Sequence, residues 1–239
     1  MNSNIYEEKY NIFLEDVASS GSMKISAIFD CMHDVADRSL IPVKMDKESL
    51  EKRGILWVLA EQSAEIIELP KLDDAIKIIT WVGNEFYGFI PRFYLIEKNG
   101  KAIVKASTVW ALIDKENRKS ITPESANVKI EPTITGDEIA VLKTLKKLDV
   151  SSIYTATVSN ENIDFNNHMN NAQYFEIIDK FNPLIKDNGL IHPRYIIARY
   201  SKEAFLGDEL TIKEGLQDSS RFYTVDSTRG NHLKARIEY

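Results

Sequence analysis

The segment Ile163-Asp164-Phe165-Asn166-Asn167-His168-Met169-Asn170-Asn171 gathers a carboxylate, an imidazole and several amides within a few residues. Asp164, Asn166 and His168 alternate, so an extended backbone sends all three side chains to one side. A carboxylate and an imidazole placed together can accept and return protons, and an amide beside them can orient a water molecule. Asn170 or Asn171 can cap the run that follows, whose free N–H groups and positive dipole end then point at the same place. Those N–H groups are candidates for holding an oxyanion. The same residue types also close turns and cap helices without doing chemistry, and the spacing alone leaves both readings open. His33, His192 and His232 lack a comparable polar neighbourhood and are read as structural.

The elements around this segment recur. Residues 5 to 17 read as a strand. After the turn and cap chemistry of SSGS, Ile25, Ile28, Phe29, Met32, Val35 and Ala36 fall at the three- and four-residue steps of a buried helix face. Four β-rich runs follow between Ile55 and Asp114, separated by Pro, Gly, Asn and Asp turns, which predicts antiparallel pairing. The order then repeats: a strand over TATVSNENI, a helix over NNAQYFEIIDKF with Tyr174, Ile177, Ile178 and Phe181 on one face, and four strands from Arg194 to Tyr239. The pattern predicts an α+β chain of two units, each an antiparallel sheet wrapped around its own helix, over 1–130 and 151–239 with a linker at 131–150. Ferredoxin-like and other α+β layouts share parts of this order.

Composition narrows the function. Apolar residues at 44% and charged residues at 28% are globular values and exclude disorder or collagen-like repeats. A net charge of -6 argues against non-specific nucleic-acid binding, which needs a basic face. No apolar run approaches the roughly 20 residues of a membrane span, and MNSNIYEEKY resembles neither a signal nor a transit peptide. The lone Cys31 has no disulfide, zinc or redox companion, so a cytoplasmic protein is expected. There is no G-x-S-x-G elbow, P-loop, dinucleotide fingerprint or metal-type cluster. No metal and no cofactor are expected.

The run from Asp164 to Tyr174 closely resembles the D-x-N-x-H-V-N-N-x-x-Y motif of acyl-acyl carrier protein thioesterases, with Met169 in place of Val. Leu56-Trp57-Val58-Leu59, Thr80-Trp81-Val82, Arg92, Ala106-Ser107-Thr108-Val109-Trp110 and Asn117-Arg118-Lys119 are similar to that family's signature segments, in the same order. The resemblance implies a tandem (double) hotdog fold, thioester hydrolysis, and Asp164, Asn166, His168 and Glu203 as catalytic residues. Glu203 is carried over from Arg199-Tyr200-Ser201-Lys202-Glu203-Ala204, which matches an E-Y-R-R-E-C-like segment of the family. Ala204 replaces its cysteine, and Pro91-Arg92-Phe93 keeps one of two arginines found in relatives.

The expected reaction is water attack on a fatty acyl thioester, assisted by Asp164, Asn166, His168 and Glu203, with the N–H groups near Asn170 and Asn171 polarising the carbonyl. Direct attack by a carboxylate is the other route open at this stage. The expected partner is acyl carrier protein bearing a fatty acyl phosphopantetheine. Arg92, Arg118, Lys119, Lys143, Lys146 and Lys147 are its candidate contacts, and Met32, Trp57 and Phe89 are candidate walls of an acyl pocket in the first unit. A coenzyme A thioester hydrolase, a hydratase and a non-catalytic acyl-binding module are the competing readings. A homodimer stays open.

Overall fold

The computed structural model describes residues 4–139, 145, 149–164, 167–181 and 192–239. Strand β1 (Tyr6–Asn11) is shorter than the run that predicts it. The chain turns at Phe13, whose N–H donates to the Asp16 carboxylate at 2.8 Å, while the Tyr10 hydroxyl reaches the same group at 3.1 Å. Helix α1 (Ile25–Leu40) buries the expected apolar stripe and extends it to Leu40. SSGS supplies the turn but not the cap: Lys24 is the N-cap residue and makes no side-chain cap hydrogen bond. Helix α2 (Lys47–Glu51), capped by Asp46, was not evident from periodicity because it is barely a turn and a half long.

Strands β2 (Ile55–Ile66), β3 (Ala75–Val82), β4 (Ile90–Lys98) and β5 (Lys101–Asp114) follow the four predicted runs, and a short β6 (Ser120–Ile121) pairs with β5. The second half repeats the layout with β7 (Ser151–Thr157), α3 (Gln173–Phe181), β8 (Tyr195–Tyr200), β9 (Glu209–Gln217), β10 (Ser220–Ser227) and β11 (Gly230–Glu238). Two expected strands stop early. β7 ends at Thr157 because Ser159 and Asn162 close a 3-10 turn, and β8 ends at Tyr200, leaving Glu203 on irregular chain.

The sheet order is β1-β3-β4-β5-β2-β8-β11-β10-β9-β7. The two halves therefore mirror one another about the pairing of β2 with β8, and the double hotdog is one continuous antiparallel sheet. That seam runs only from Glu61↔Arg199 to Glu65↔Tyr195. A register shift between Leu59 and Glu61 bends β2 just there, so Ile55–Leu59 diverge from β8. The ends of β8 and β5 emerge on this splayed side.

Burial couples the halves as well. Residues of α1 and α3 share one core cluster, in which Phe29 and Phe175 are fully buried with ring centroids 5.0 Å apart. Glu176 of α3 accepts the Ser26 hydroxyl and lies 3.7 Å from Lys24, placing a negative charge at the uncapped start of α1. Among the described residues no helix is long and apolar enough to cross a membrane. Phe29→Ala should cost about 3–5 kcal/mol, the usual range for emptying a buried aromatic site. Both halves should melt together in urea, followed by fluorescence and far-ultraviolet dichroism; two separated transitions would show that the halves do not depend on this contact.

Candidate active site

The Asp164 loop is a closed turn and not the extended segment that alternation suggested. Asp164 N–H donates to His168 O at 3.0 Å, Asn167 N–H donates to Asp164 O at 3.1 Å, and Asn167 adopts φ +62°. Asn tolerates this left-handed conformation better than most residues. Ile163 and Met169 bridge the base of the turn. The side chains of Asp164 and His168 converge because the chain reverses. Asn166 lies outside the described residues.

Two backbone bonds fix the turn against the rest of the second half: Met169 N–H donates to Ala204 O at 2.8 Å, and Asn170 N–H donates to Asn162 O at 2.9 Å. The first of these brings Glu203 beside His168. His232, fully buried, holds the Glu203 segment from behind, with Nδ1 2.9 Å from Lys202 O and Nε2 2.7 Å from Ser227 Oγ. It is structural, as its neighbourhood suggested.

The imidazole of His168 stands between two carboxylates. Nδ1 is 3.7 Å from Asp164 Oδ2, and Nε2 is 3.7 Å from Glu203 Oε1. These are electrostatic contacts longer than hydrogen bonds. Nδ1 also approaches the Met169 carbonyl at 3.3 Å. A carbonyl only accepts, so this contact calls for hydrogen on Nδ1 and leaves Nε2 facing Glu203. The three side chains are 20–31% exposed, sheltered yet open to water.

Arg118 gives this site a member from the first half of the chain. Read from sequence as a surface contact, it forms an ion pair with Glu203 Oε1. Its loop is stiff: Asp114 Oδ1 accepts from Glu116 and Asn117 N–H at 3.0 and 2.9 Å, and Arg118 N–H returns to Asp114 O at 3.0 Å. Arg118 sits at φ +58°, a conformation costing a non-glycine residue roughly 1–2 kcal/mol.

Asn170 caps α3 in part, since its Oδ1 accepts Ala172 N–H at 2.9 Å while its Nδ2 donates to Asp30 of α1 at 3.0 Å. Burial pushes the Asp30 carboxyl up, and the Asn170 bond acts against that shift. The Asn171 carbonyl accepts from Tyr200 Oη at 3.2 Å, Tyr200 accepts from Gln62 Nε2 at 2.5 Å, and Gln62 Oε1 meets His33 Nε2 at 3.1 Å. Burial drives His33 down to about 3, so this histidine is neutral. The chain of contacts ties the start of α3 to α1 through the seam, and no short motif revealed it.

Other expected residues fall elsewhere. Arg92 is 4% exposed on the inner face of β4, so it cannot join a surface patch for a carrier protein. Lys119 is exposed, and Lys143, Lys146 and Lys147 lie outside the described residues. Trp57 lines a cavity at the C-terminal end of α1. Met32 is sealed in the core and Phe89 packs on Phe86 in the β3–β4 loop, so neither lines that cavity. Cys31 is buried with its thiol on Ile28 O at 3.1 Å, and burial, reinforced by Asp16, raises it far above the usual thiol range. Among the described residues no group of three or more His, Cys, Asp or Glu could hold a metal ion.

The first half contains the same turn without the chemistry. Ala18 N–H donates to Ser22 O at 2.9 Å, Gly21 N–H donates to Ala18 O at 2.8 Å with φ +77°, Met23 N–H donates to Pro70 O at 2.7 Å, and Val17 bridges Met23. Bond for bond this is the Asp164 turn, with Ala18 for Asp164, Ser22 for His168 and Leu69 for Glu203. The backbone needs neither the carboxylates nor the imidazole, and closing the turn does not account for them.

The family model described as the acyl-ACP thioesterase N-terminal domain matches residues 3–127, and that of the C-terminal domain matches residues 145–238. A chloroplastic acyl-[acyl-carrier-protein] hydrolase of Cuphea viscosissima is 22% identical over 186 residues, covering 71% of this chain and 45% of the relative. The chain thus spans under half the length of the curated relatives it matches. An acyl-ACP thioesterase structure from Bacteroides thetaiotaomicron superposes with a TM-score of 0.83 at 21% identity, covering 98% of this chain and 97% of that one. The 12:0-ACP thioesterase from Umbellularia californica gives 0.78 at 18% identity, with 98% and 96% covered. These likenesses establish the double hotdog fold. With both domain models matched in order along most of its length, the chain belongs to the acyl-ACP thioesterase family.

Proposed function

We propose that this chain hydrolyses the thioester of a fatty acyl group carried on acyl carrier protein, releasing the fatty acid and the carrier's phosphopantetheine thiol. The observation that carries this reading is the His168 imidazole held between Asp164 and Glu203, in a turn whose twin in the first half does without all three. The relative from Cuphea viscosissima, an acyl-[acyl-carrier-protein] hydrolase by name, agrees with it. The reaction is assigned to the cytoplasm, where a lone cysteine stays reduced.

In this mechanism a water molecule sits between Glu203 and Nε2 of His168. Arg118 holds Glu203 in place through their ion pair, and Asp164 orients the imidazole from its Nδ1 side. As the water oxygen bonds to the carbonyl carbon, Glu203 takes its proton. The Asn171 N–H ahead of α3 is assigned to the oxyanion, since the N–H groups of Asn170, Ala172 and Gln173 already donate to Asn162 O, Asn170 Oδ1 and Asn170 O. When the C–S bond breaks, the proton passes through His168 to the departing sulfur, and the carboxylate is restored. Asn166 is assigned to orienting the water. Ala204 removes any thiol beside Glu203, and Cys31 is sealed away on α1.

Free thiol released from acyl-carrier-protein and acyl-coenzyme A thioesters is the direct assay. His168→Ala, Asp164→Asn and Glu203→Gln should each lower turnover by about 100-fold or more while the fold persists. Cys31→Ser should keep most activity. An active Glu203→Gln protein beside a folded, inactive Cys31→Ser protein would overturn the water mechanism.

Arg118 and Lys119 are adjacent and should separate into two roles. Lys119, with Lys143, Lys146 and Lys147, is assigned to docking an acidic carrier protein. Lys119→Glu should raise KM for the carrier-protein substrate at low salt and leave small thioesters unchanged. Arg118→Ala should lower kcat on both substrates by about tenfold or more, since it disturbs a catalytic group. An Arg118→Ala effect confined to the KM for carrier protein would return this residue to the docking surface.

A further inference from the structure

Helix α1 carries a polar line beside its apolar stripe. Ser26, Asp30 and His33 fall at four- and three-residue steps and so share one face. Each bonds either the second half or the seam. Ser26 donates to Glu176 of α3, Asp30 Oδ1 accepts from Asn170 Nδ2 at 3.0 Å, and His33 Nε2 meets Gln62 Oε1 of β2 at 3.1 Å. None of the three takes part in the chemistry assigned to His168. Polar groups set against a core weaken it unless their bonds are made, and once made those bonds fix a single arrangement. What this line arranges is the start of α3.

Three successive N–H groups there are spoken for on either side of a fourth. Asn170 N–H donates to Asn162 O at 2.9 Å, Ala172 N–H to Asn170 Oδ1 at 2.9 Å and Gln173 N–H to Asn170 O at 3.0 Å. Asn171 N–H, between them, meets no acceptor among the described residues. Its direction is set by the groups that flank it. On one side Asp30 holds the Asn170 amide: a carboxylate only accepts, so it takes Nδ2 and leaves Oδ1 turned to Ala172. On the other side the Tyr200 hydroxyl donates to Asn171 O at 3.2 Å. Tyr200 is itself directed from α1. His33 is neutral and Gln62 Oε1 only accepts, so His33 Nε2–H donates to it and turns Gln62 Nε2 to the Tyr200 oxygen at 2.5 Å.

The twin turn in the first half supplies the contrast. The correspondence that places Ala18 on Asp164 and Ser22 on His168 also places Lys24 on Asn170 and Asp30 on Glu176. The crossed contact recurs, with Lys24 Nζ 3.7 Å from Glu176 Oε1. An ammonium has no acceptor to offer, and Lys24 makes no side-chain cap bond. Each half therefore braces the start of one helix with a carboxylate from the other helix, but only beside His168 does the brace also orient a cap.

On the thioesterase reading of this site, we propose that Asp30 and Tyr200 are positioning residues for the oxyanion donor: together they fix the backbone that presents Asn171 N–H to the substrate carbonyl. The first half, which has no acid or imidazole in its own turn, thereby helps to aim the donor of the second. A donor aimed before the substrate arrives needs no reorganisation as the carbonyl oxygen gains charge, and a small misplacement forfeits much of that gain.

Asp30→Leu keeps bulk and removes the acceptor, and Tyr200→Phe removes only the hydroxyl. Each should lower kcat by about tenfold or more on carrier-protein and coenzyme A thioesters alike, with KM changed by less than about twofold. Asp30→Asn, which keeps an oxygen toward Asn170 Nδ2, should recover most of the loss. A bond that only braces the helices would lower the melting temperature and leave kcat of the folded protein unchanged; that result would overturn the proposal, as would an Asp30→Asn protein as slow as Asp30→Leu. A second readout needs no turnover. In nuclear magnetic resonance spectra the Asn171 amide should give one sharp line in the unaltered protein and a broadened or doubled one in Asp30→Leu and in Tyr200→Phe. A trifluoromethyl ketone analogue of acyl-pantetheine, whose hydrate carries a tetrahedral oxygen, should shift this line and bind both variants about tenfold more weakly, while the matching amide binds all alike. An Asn171 line indifferent to the substitutions would refute the positioning role, and Tyr200→Phe carries this measurement if Asp30→Leu fails to fold. An unaltered protein that hydrolyses no thioester would refute the thioesterase reading and leave the resonance to decide whether Asp30 and Tyr200 hold this backbone; full kcat in both variants of an active enzyme would do the reverse.

Discussion

The pairing of β2 with β8 is the constraint on which the rest of the molecule depends. It joins two sheets that each end in an open edge, and pairing satisfies backbone donors and acceptors that would otherwise invite aggregation. It also sets the distance between α1 and α3, so that Phe29 meets Phe175 and one core serves both halves. Its shortness matters as much as its presence. Because the register shift in β2 ends the seam after Glu61, the strands part, and residues from both halves can face each other without being paired into the sheet.

The candidate site is assembled in that opening from separate parts of the chain. Asp164 and His168 come from a local turn, Glu203 from the chain beyond β8, and Arg118 from the hairpin after β5. None of these positions is set by the site side chains themselves. The Asp164 turn is closed by its own backbone and by Ala204 O, the Glu203 segment is braced by His232, and the Arg118 hairpin is held by Asp114. Rigid backbone with exchangeable side chains is the arrangement that holds catalytic groups in a productive geometry before substrate arrives.

Which parts of this were legible in the amino-acid order follows from how local each feature is. The apolar stripe of α1 and the β-rich runs with their turn residues are written within single segments, and they appear where periodicity puts them. The density of polar residues from Asp164 to Asn171 marked the loop, but alternation implied an extended chain, and the reversal at Asn167 depends on one left-handed residue that periodicity does not register. Arg118 and Glu203 are 85 positions apart, and nothing in either segment announces the ion pair. The burial of Arg92 is hidden for the opposite reason. A charged residue in a β-run is ordinarily solvated, and its enclosure is visible only once β4 turns that face toward α1.

The duplicated turn shows that the backbone closes equally well with and without the proposed catalytic groups. In both halves the same four backbone bonds close a loop ahead of a buried helix, so the architecture offers two equivalent places for a site. Placing acid and imidazole groups in both would set charged clusters at both helix starts, each needing solvent access and each weakening the adjoining core. Ala18, Gly21, Ser22 and Leu69 instead let the first turn close with small or apolar side chains. The splayed seam then lets Arg118, from the half that lacks those groups, reach Glu203 in the half that has them.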